Sequence, residues 1–245
     1  MPALASSSAD FTAVLFGLSG CLVDFGARTL PASLQRLFPD AANQPCHAVS
    51  PRAALSAALG REPQGSDLNE LQRVMHECAN DYAHATPGAL HVLETLQRQG
   101  VPCAWLDELP TDASQRLASA LPAWLVGTDT SSARPWPAPD ACWQSLSALE
   151  VDNLDGCVLI SGEPRLLQAG LNAGLWTVGL AACGPLCGQA PNDWRALPAA
   201  ERDHLRAQAT LSLYRLGVHS VIDELADLGP SLTDLAQRRL KGEKP

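Results

Sequence analysis

Three carboxylates, Asp107, Asp129 and Glu163, each stand near the end of a short apolar run. Brought together they could hold a cation, because hard divalent ions take oxygen ligands; kept apart they are ordinary solvated loop acids. Amine chemistry is nearly missing from the chain. Of its 17 basic residues, 15 are arginine, and the two lysines are Lys241 and Lys244. Residues 1–240 therefore contain no side-chain amine able to form a Schiff base, since an arginine stays protonated. The eight cysteines and six histidines give no zinc signature. Cys183 and Cys187 lie closest together, with no second pair nearby, and His47, His76, His84, His91, His204 and His219 are scattered. Cys103 and Cys157 fall inside apolar runs and read as small buried hydrophobes.

The 245 residues are 46% apolar and 18% charged, enough for a sizeable core in one or two domains. A net charge of -9 leaves no broad basic surface for a phosphate backbone, which argues against nucleic acid. No apolar run approaches the roughly 20 residues of a membrane helix. Residues 1–10 have neither a basic start nor a continuous apolar stretch, so a cytoplasmic protein with reduced thiols is expected.

The elements that must position these side chains alternate between strand and helix. Apolar runs at 11–16, 101–106, 124–127, 157–160 and 175–180 read as strands. Helical periods follow at 86–99, 111–121, 139–149 and 164–173. Thr86 and Pro87 open the first of these, and Gly100 and Gly174 stop the first and the last. This order predicts a parallel α/β sheet with helices on both faces and ligands at the C-terminal strand ends. Residues 28–85 break the alternation. They read as helical throughout, with Leu68, Leu71, Met75 and Tyr82 on one stripe of a helix over 66–83. The expected division is a discontinuous core of residues 10–27 and 86–245, with residues 28–85 as a helical cap inserted after the first strand.

Several runs then carry a family resemblance: Leu-Val-Asp-Phe-Gly at 22–26, Thr-Pro-Gly-Ala-Leu at 86–90, Arg-Pro-Trp-Pro at 134–137, Gly-Leu-Asn-Ala-Gly-Leu-Trp-Thr-Val-Gly-Leu at 170–180 and Val-Ile-Asp-Glu-Leu-Ala-Asp-Leu at 221–228. Over its whole length the chain resembles the phosphonoacetaldehyde hydrolase family of the haloacid dehalogenase superfamily. The resemblance implies a Rossmann-like core with a cap, and hydrolysis of a carbon–phosphorus bond. It also implies an aspartate nucleophile ending the first strand, Mg²⁺ held by that aspartate and by acids after the fourth strand, and a hydroxyl after the second. A cation after the third strand and a Schiff-base lysine in the cap complete the set.

Against that pattern the chain is degenerate. Where the family has Asp-x-Ala-Gly-Thr, residues 17–21 read Gly17, Leu18, Ser19, Gly20 and Cys21. The acid pair after the fourth strand falls at Ser161 and Gly162, the hydroxyl position at Asp107 and Glu108, and the lysine position at or near Arg52. Only the cation is retained, as Arg134. No intact catalytic set and no Mg²⁺ are expected. Asp24, Asp107 and Glu163 are the acids left to a metal, although Asp24, seven residues past Gly17, reads as structural. Cys21 as a substitute nucleophile has no histidine near it in sequence, and a partly buried structural thiol is the competing reading. Arg134 and Arg52 could clamp a small anionic ligand between core and cap, or simply pair with loop acids.

Two functions follow as expectations. One is a non-catalytic homologue acting as a binding, regulatory or hetero-oligomeric partner, as a homodimer or a heterodimer with an active paralogue through the cap. The other is a hydrolase of a phosphonate or phosphate ester with relocated catalytic residues. The family pairs through cap helices, and the stripe of Leu68, Leu71, Met75 and Tyr82 could serve that contact or pack the cap's own helices.

Overall fold

The computed structural model describes residues 11–39, 49–130 and 132–245; Cys46, His47 and residues 1–10 lie outside them. Six strands form one parallel sheet: β1 (Ala13–Gly17), β2 (Cys103–Leu106), β3 (Val126–Gly127), β4 (Cys157–Ser161), β5 (Trp176–Leu180) and β6 (Ser220–Ile222). Their order is β3-β2-β1-β4-β5-β6. Each pairing is parallel, with Leu15 of β1 beside Ala104 of β2 and Leu159 of β4. The five expected strands are present, and the sixth is new. Ser220–Ile222 has only three residues, all half-buried, and no apolar run to announce it.

Alternation along the strands fills two layers. Val14 and Phe16 pack on one face with Val158, Ile160 and Val178, beneath α4 (Ala89–Arg98) and α10 (Leu228–Leu240). Ala13 and Leu15 face the other side, against α6 (Asp140–Ala148) and α7 (Pro164–Asn172). Helices α8 (Pro191–Ala196) and α9 (Ala199–Arg215) follow β5, and Leu213 of α9 packs with Leu167 of α7. The two helix-covered faces and the strand order are those of the haloacid dehalogenase-like α/β fold.

The chain between β1 and α4 forms α1 (Thr29–Leu37), α2 (Pro51–Leu59) and α3 (Gly65–Tyr82), with α5 (Thr111–Ala118) following β2. Ser50 caps α2 by accepting from the Ala53 amide at 3.3 Å, and Pro51 occupies its first turn. Leu71, Met75 and Ala79 of α3 pack with Leu30 and Leu34 of α1, Leu55 of α2, and Ala113 and Leu117 of α5. Much of the stripe considered for pairing is thus buried within the chain. Thr86 does not cap α4, which begins at Ala89 after left-handed Gly88. Its hydroxyl instead donates to the carbonyls of Cys21 and Leu22, tying α4 to the loop after β1. Among the described residues no helix is long and apolar enough to cross a membrane.

Candidate functional site

The sheet order reverses direction between β1 and β4, and in open parallel sheets the ligand crevice lies at the C-terminal strand ends beside such a switch. Gly17 and Ser161 end those two strands. A cleft of about 1160 Å³ opens there, lined by Gly17, Asp107, Glu108, Ser161, Glu163 and Arg165 with residues of α1 and α2.

Gly17 has no left-handed backbone that would call for glycine. What it supplies is room. A Cβ at this position would stand 2.6 Å from Ser161 Oγ and 3.2 Å from Ser161 Cβ, with a Leu166 methyl at 3.4 Å. Ser161 is fully buried, and its hydroxyl accepts from the Glu163 amide at 3.0 Å. Gly162 is tighter still. A Cβ there would lie 2.5 Å from both the Gly20 carbonyl oxygen and Gly184 Cα, and one on Gly184 would lie 2.6 Å from the Gly162 oxygen.

The Mg²⁺ implied by the resemblance does not fit these residues. Such an ion is held through one or two carboxylates. Positions 17, 161 and 162 supply none, and the space beside Gly17 and Gly162 holds a serine side chain and main chain. Among the described residues no three His, Cys, Asp or Glu side chains gather in a group able to hold a metal.

Asp24 is structural in its surroundings. It is buried and left-handed (φ 56°), and it accepts from Ser19 Oγ at 2.7 Å and from the Arg28 and Thr29 amides at 2.8 and 3.1 Å. Burial raises its pKa, while the hydrogen bonds from Ser19, Thr29 and Arg28 oppose that. Cys21 is buried with its thiol on the Ile160 carbonyl at 3.4 Å; burial pushes its pKa well up, which suppresses the thiolate a nucleophile needs.

Burial raises the pKa of two other acids. Burial pushes the Asp107 carboxyl up to about 7, against hydrogen bonds from the Leu109 amide, Ser114 Oγ and the Glu108 amide. Glu163 caps α7 by accepting from the Arg165 amide at 3.0 Å, and burial also raises it to about 7. Glu108, beside Asp107, is ion-paired. Its carboxylate takes two bonds from the Arg165 guanidinium, at 2.5 and 3.2 Å, and one from the Trp136 amide at 2.7 Å. Arg165 also donates to the Trp136 carbonyl at 2.6 Å, so one side chain of α7 joins the loops after β2 and β3. The sequence reading missed Arg165; the one signal is its place directly after Pro164, in the first turn of the helix at the switch point.

Arg52 and Arg134 line a second cleft of about 1210 Å³, which also takes in Asp129, residues of α2 and α3 and the loops after β2 and β3. Each is held by an acid. Arg134 grips Asp140 bidentately at 2.9–3.2 Å with its side chain 71% exposed, and Arg52 meets Glu62 at 3.3 Å with 61% exposed. Pairs so exposed are weak and can exchange for another anion.

Comparison with known proteins places these features in a family. No protein-family model matches the chain. A phosphonoacetaldehyde hydrolase of Salmonella paratyphi A is 30% identical over 203 residues, 79% of this chain and 76% of its own length. Another, from Aeromonas hydrophila, is 28% identical over 96% of both chains. The crystal structure of a phosphonoacetaldehyde hydrolase-like protein from Oleispira antarctica superposes with a TM-score of 0.82 over 96% of each chain, at 24% identity. On the strength of these relatives and of the shared fold, the chain belongs to the phosphonoacetaldehyde hydrolase family of the haloacid dehalogenase superfamily.

Proposed function

We propose that this protein is a non-catalytic member of its family, acting by binding a small ligand or a protein partner. The observation that carries the reading is Gly17. The residue ending β1 has no side chain to receive a phosphoryl group, and Ser161 fills the space beside it. Three further features support it: main chain packs against Gly162, Cys21 is buried, and residues 1–240 contain no lysine. We take the α1–α3 segment as a cap. Partner contact through it would use its outer faces, because Leu71 and Met75 are buried against α1, α2 and α5.

One observation favours the alternative of a hydrolase with relocated residues: Asp107 and Glu163 both line the cleft with carboxyls held near pH 7, where a general acid or base works best. Hydrolysis of p-nitrophenyl phosphate with and without Mg²⁺ separates the two. The non-catalytic reading expects no rate above a blank. A rate abolished in Asp107→Asn or Glu163→Gln would overturn it.

A further inference from the structure

The contacts that exclude a metal are not isolated. The loop after β5 folds onto the loop after β1: Gly26 N–H donates to the Cys183 carbonyl at 2.8 Å, and Arg28 donates to the Gly188 carbonyl at 2.7 Å. Between those two bonds lies Gly184, whose main chain meets Gly162. The same seam brings Gly26 so close to Gln189 that a Cβ there would lie 2.1 Å from the Gln189 carbonyl oxygen. At position 162 both obstructing groups are backbone, so no rotamer change relieves them. At position 17 the obstruction is a side chain, yet Ser161 is buried and its oxygen is engaged by the Glu163 amide. On the other side of the crevice Arg165 joins Glu108 and the Trp136 carbonyl, so a protein cation already bridges the loops after β2, β3 and β4.

We infer that the ends of β1 and β4 form a filled, metal-independent joint at the floor of this cleft, locked by the Gly20–Gly162–Gly184 backbone contact and the Arg165–Glu108 bridge, which restoring acids at positions 17 and 162 would not turn into a Mg²⁺ site. This goes beyond the proposed function, because it concerns what the crevice can be made to hold and is read by melting temperature and binding heat. Activity found in the wild-type chain would overturn that function without changing either readout.

The test uses the full chain. Gly162→Ala and Gly184→Ala each add one carbon against backbone, and each is expected to lower the melting temperature by roughly 5–10 °C. Gly17→Ala combined with Ser161→Ala, where the obstructing hydroxyl is gone, is expected to fall by less. Gly17→Asp and Gly17→Asp/Gly162→Asp are titrated with millimolar MgCl₂ alone, with no binding heat and no Mg²⁺-dependent rise in melting temperature expected. A Gly162→Ala protein melting with the wild type would overturn the inference, and so would a doubly acidic variant that takes up Mg²⁺ with a rise of several degrees. Should the double variant not fold, the Gly162→Ala melting temperature decides.

Discussion

The Arg165–Glu108 pair shows how little of a site's electrostatics can be read from neighbours in sequence. Its partners lie 57 positions apart, and their side chains are 18% and 16% exposed. A bidentate pair with that much water excluded is costly to break from one side, because the remaining charge keeps its burial and loses its partner. Arg165→Met and Glu108→Gln should each lose about 2 kcal/mol in urea unfolding, and the Arg165→Met/Glu108→Leu double variant should recover part of that; equal stability of single variants and wild type would show the bridge to be idle. Asp107 makes a prediction in pH. Its folded pKa of about 7 lies above the roughly 3.9 of an unfolded aspartate, so the folded state keeps a proton that the unfolded chain releases. Its contribution is therefore fully present below about pH 4 and lost as pH rises through about 7. Asp107→Asn, which retains an acceptor for the Glu108 and Leu109 amides, should flatten the decline of melting temperature between pH 5 and pH 8. A slope parallel to the wild type's would refute the raised pKa. Gly17 was fully legible, because a missing side chain is read directly; what fills its space was not, because Ser161 comes from another strand.

Element by element, the legible parts were those with a period. The apolar stripe over 66–83 becomes α3, and the five apolar runs become β1 to β5. β6 escaped because a three-residue strand is specified by its partner β5 more than by its own composition. Thr86 and Pro87 have the local pattern of a helix start, but tertiary contact with the Cys21 and Leu22 carbonyls claims the Thr86 hydroxyl and the helix begins at Ala89. The α3–α5 contact carries its own test. Leu71 is buried among Leu30, Leu55, Met75 and Leu117, so Leu71→Ala should cost about 2–5 kcal/mol by urea unfolding. An unchanged midpoint with an altered oligomeric state would assign the stripe to a partner. Arg52 and Arg134 show the opposite limit: the sequence placed both near the crevice, and the acids that hold them, Glu62 and Asp140, belong to short-range pairings that either reading allowed.

At the scale of the whole molecule, the chain keeps the fold of a hydrolase family, and its two central strands end in Gly17 and Ser161, where a serine side chain occupies the space beside the glycine. The parallel sheet, the helical segment after β1 and the family's long runs survive, because each is fixed by many side chains at once. The chemistry that the resemblance implies would rest on a few positions, and among those the chain has glycine, serine and arginine. A fold is compatible with activity without implying it. The most direct measurement is acetaldehyde release from phosphonoacetaldehyde by the purified wild-type chain with Mg²⁺, at high protein concentration and beside a heat-denatured blank. The account predicts release equal to the blank; sustained Mg²⁺-dependent turnover that disappears in Asp107→Asn or Glu163→Gln would contradict it.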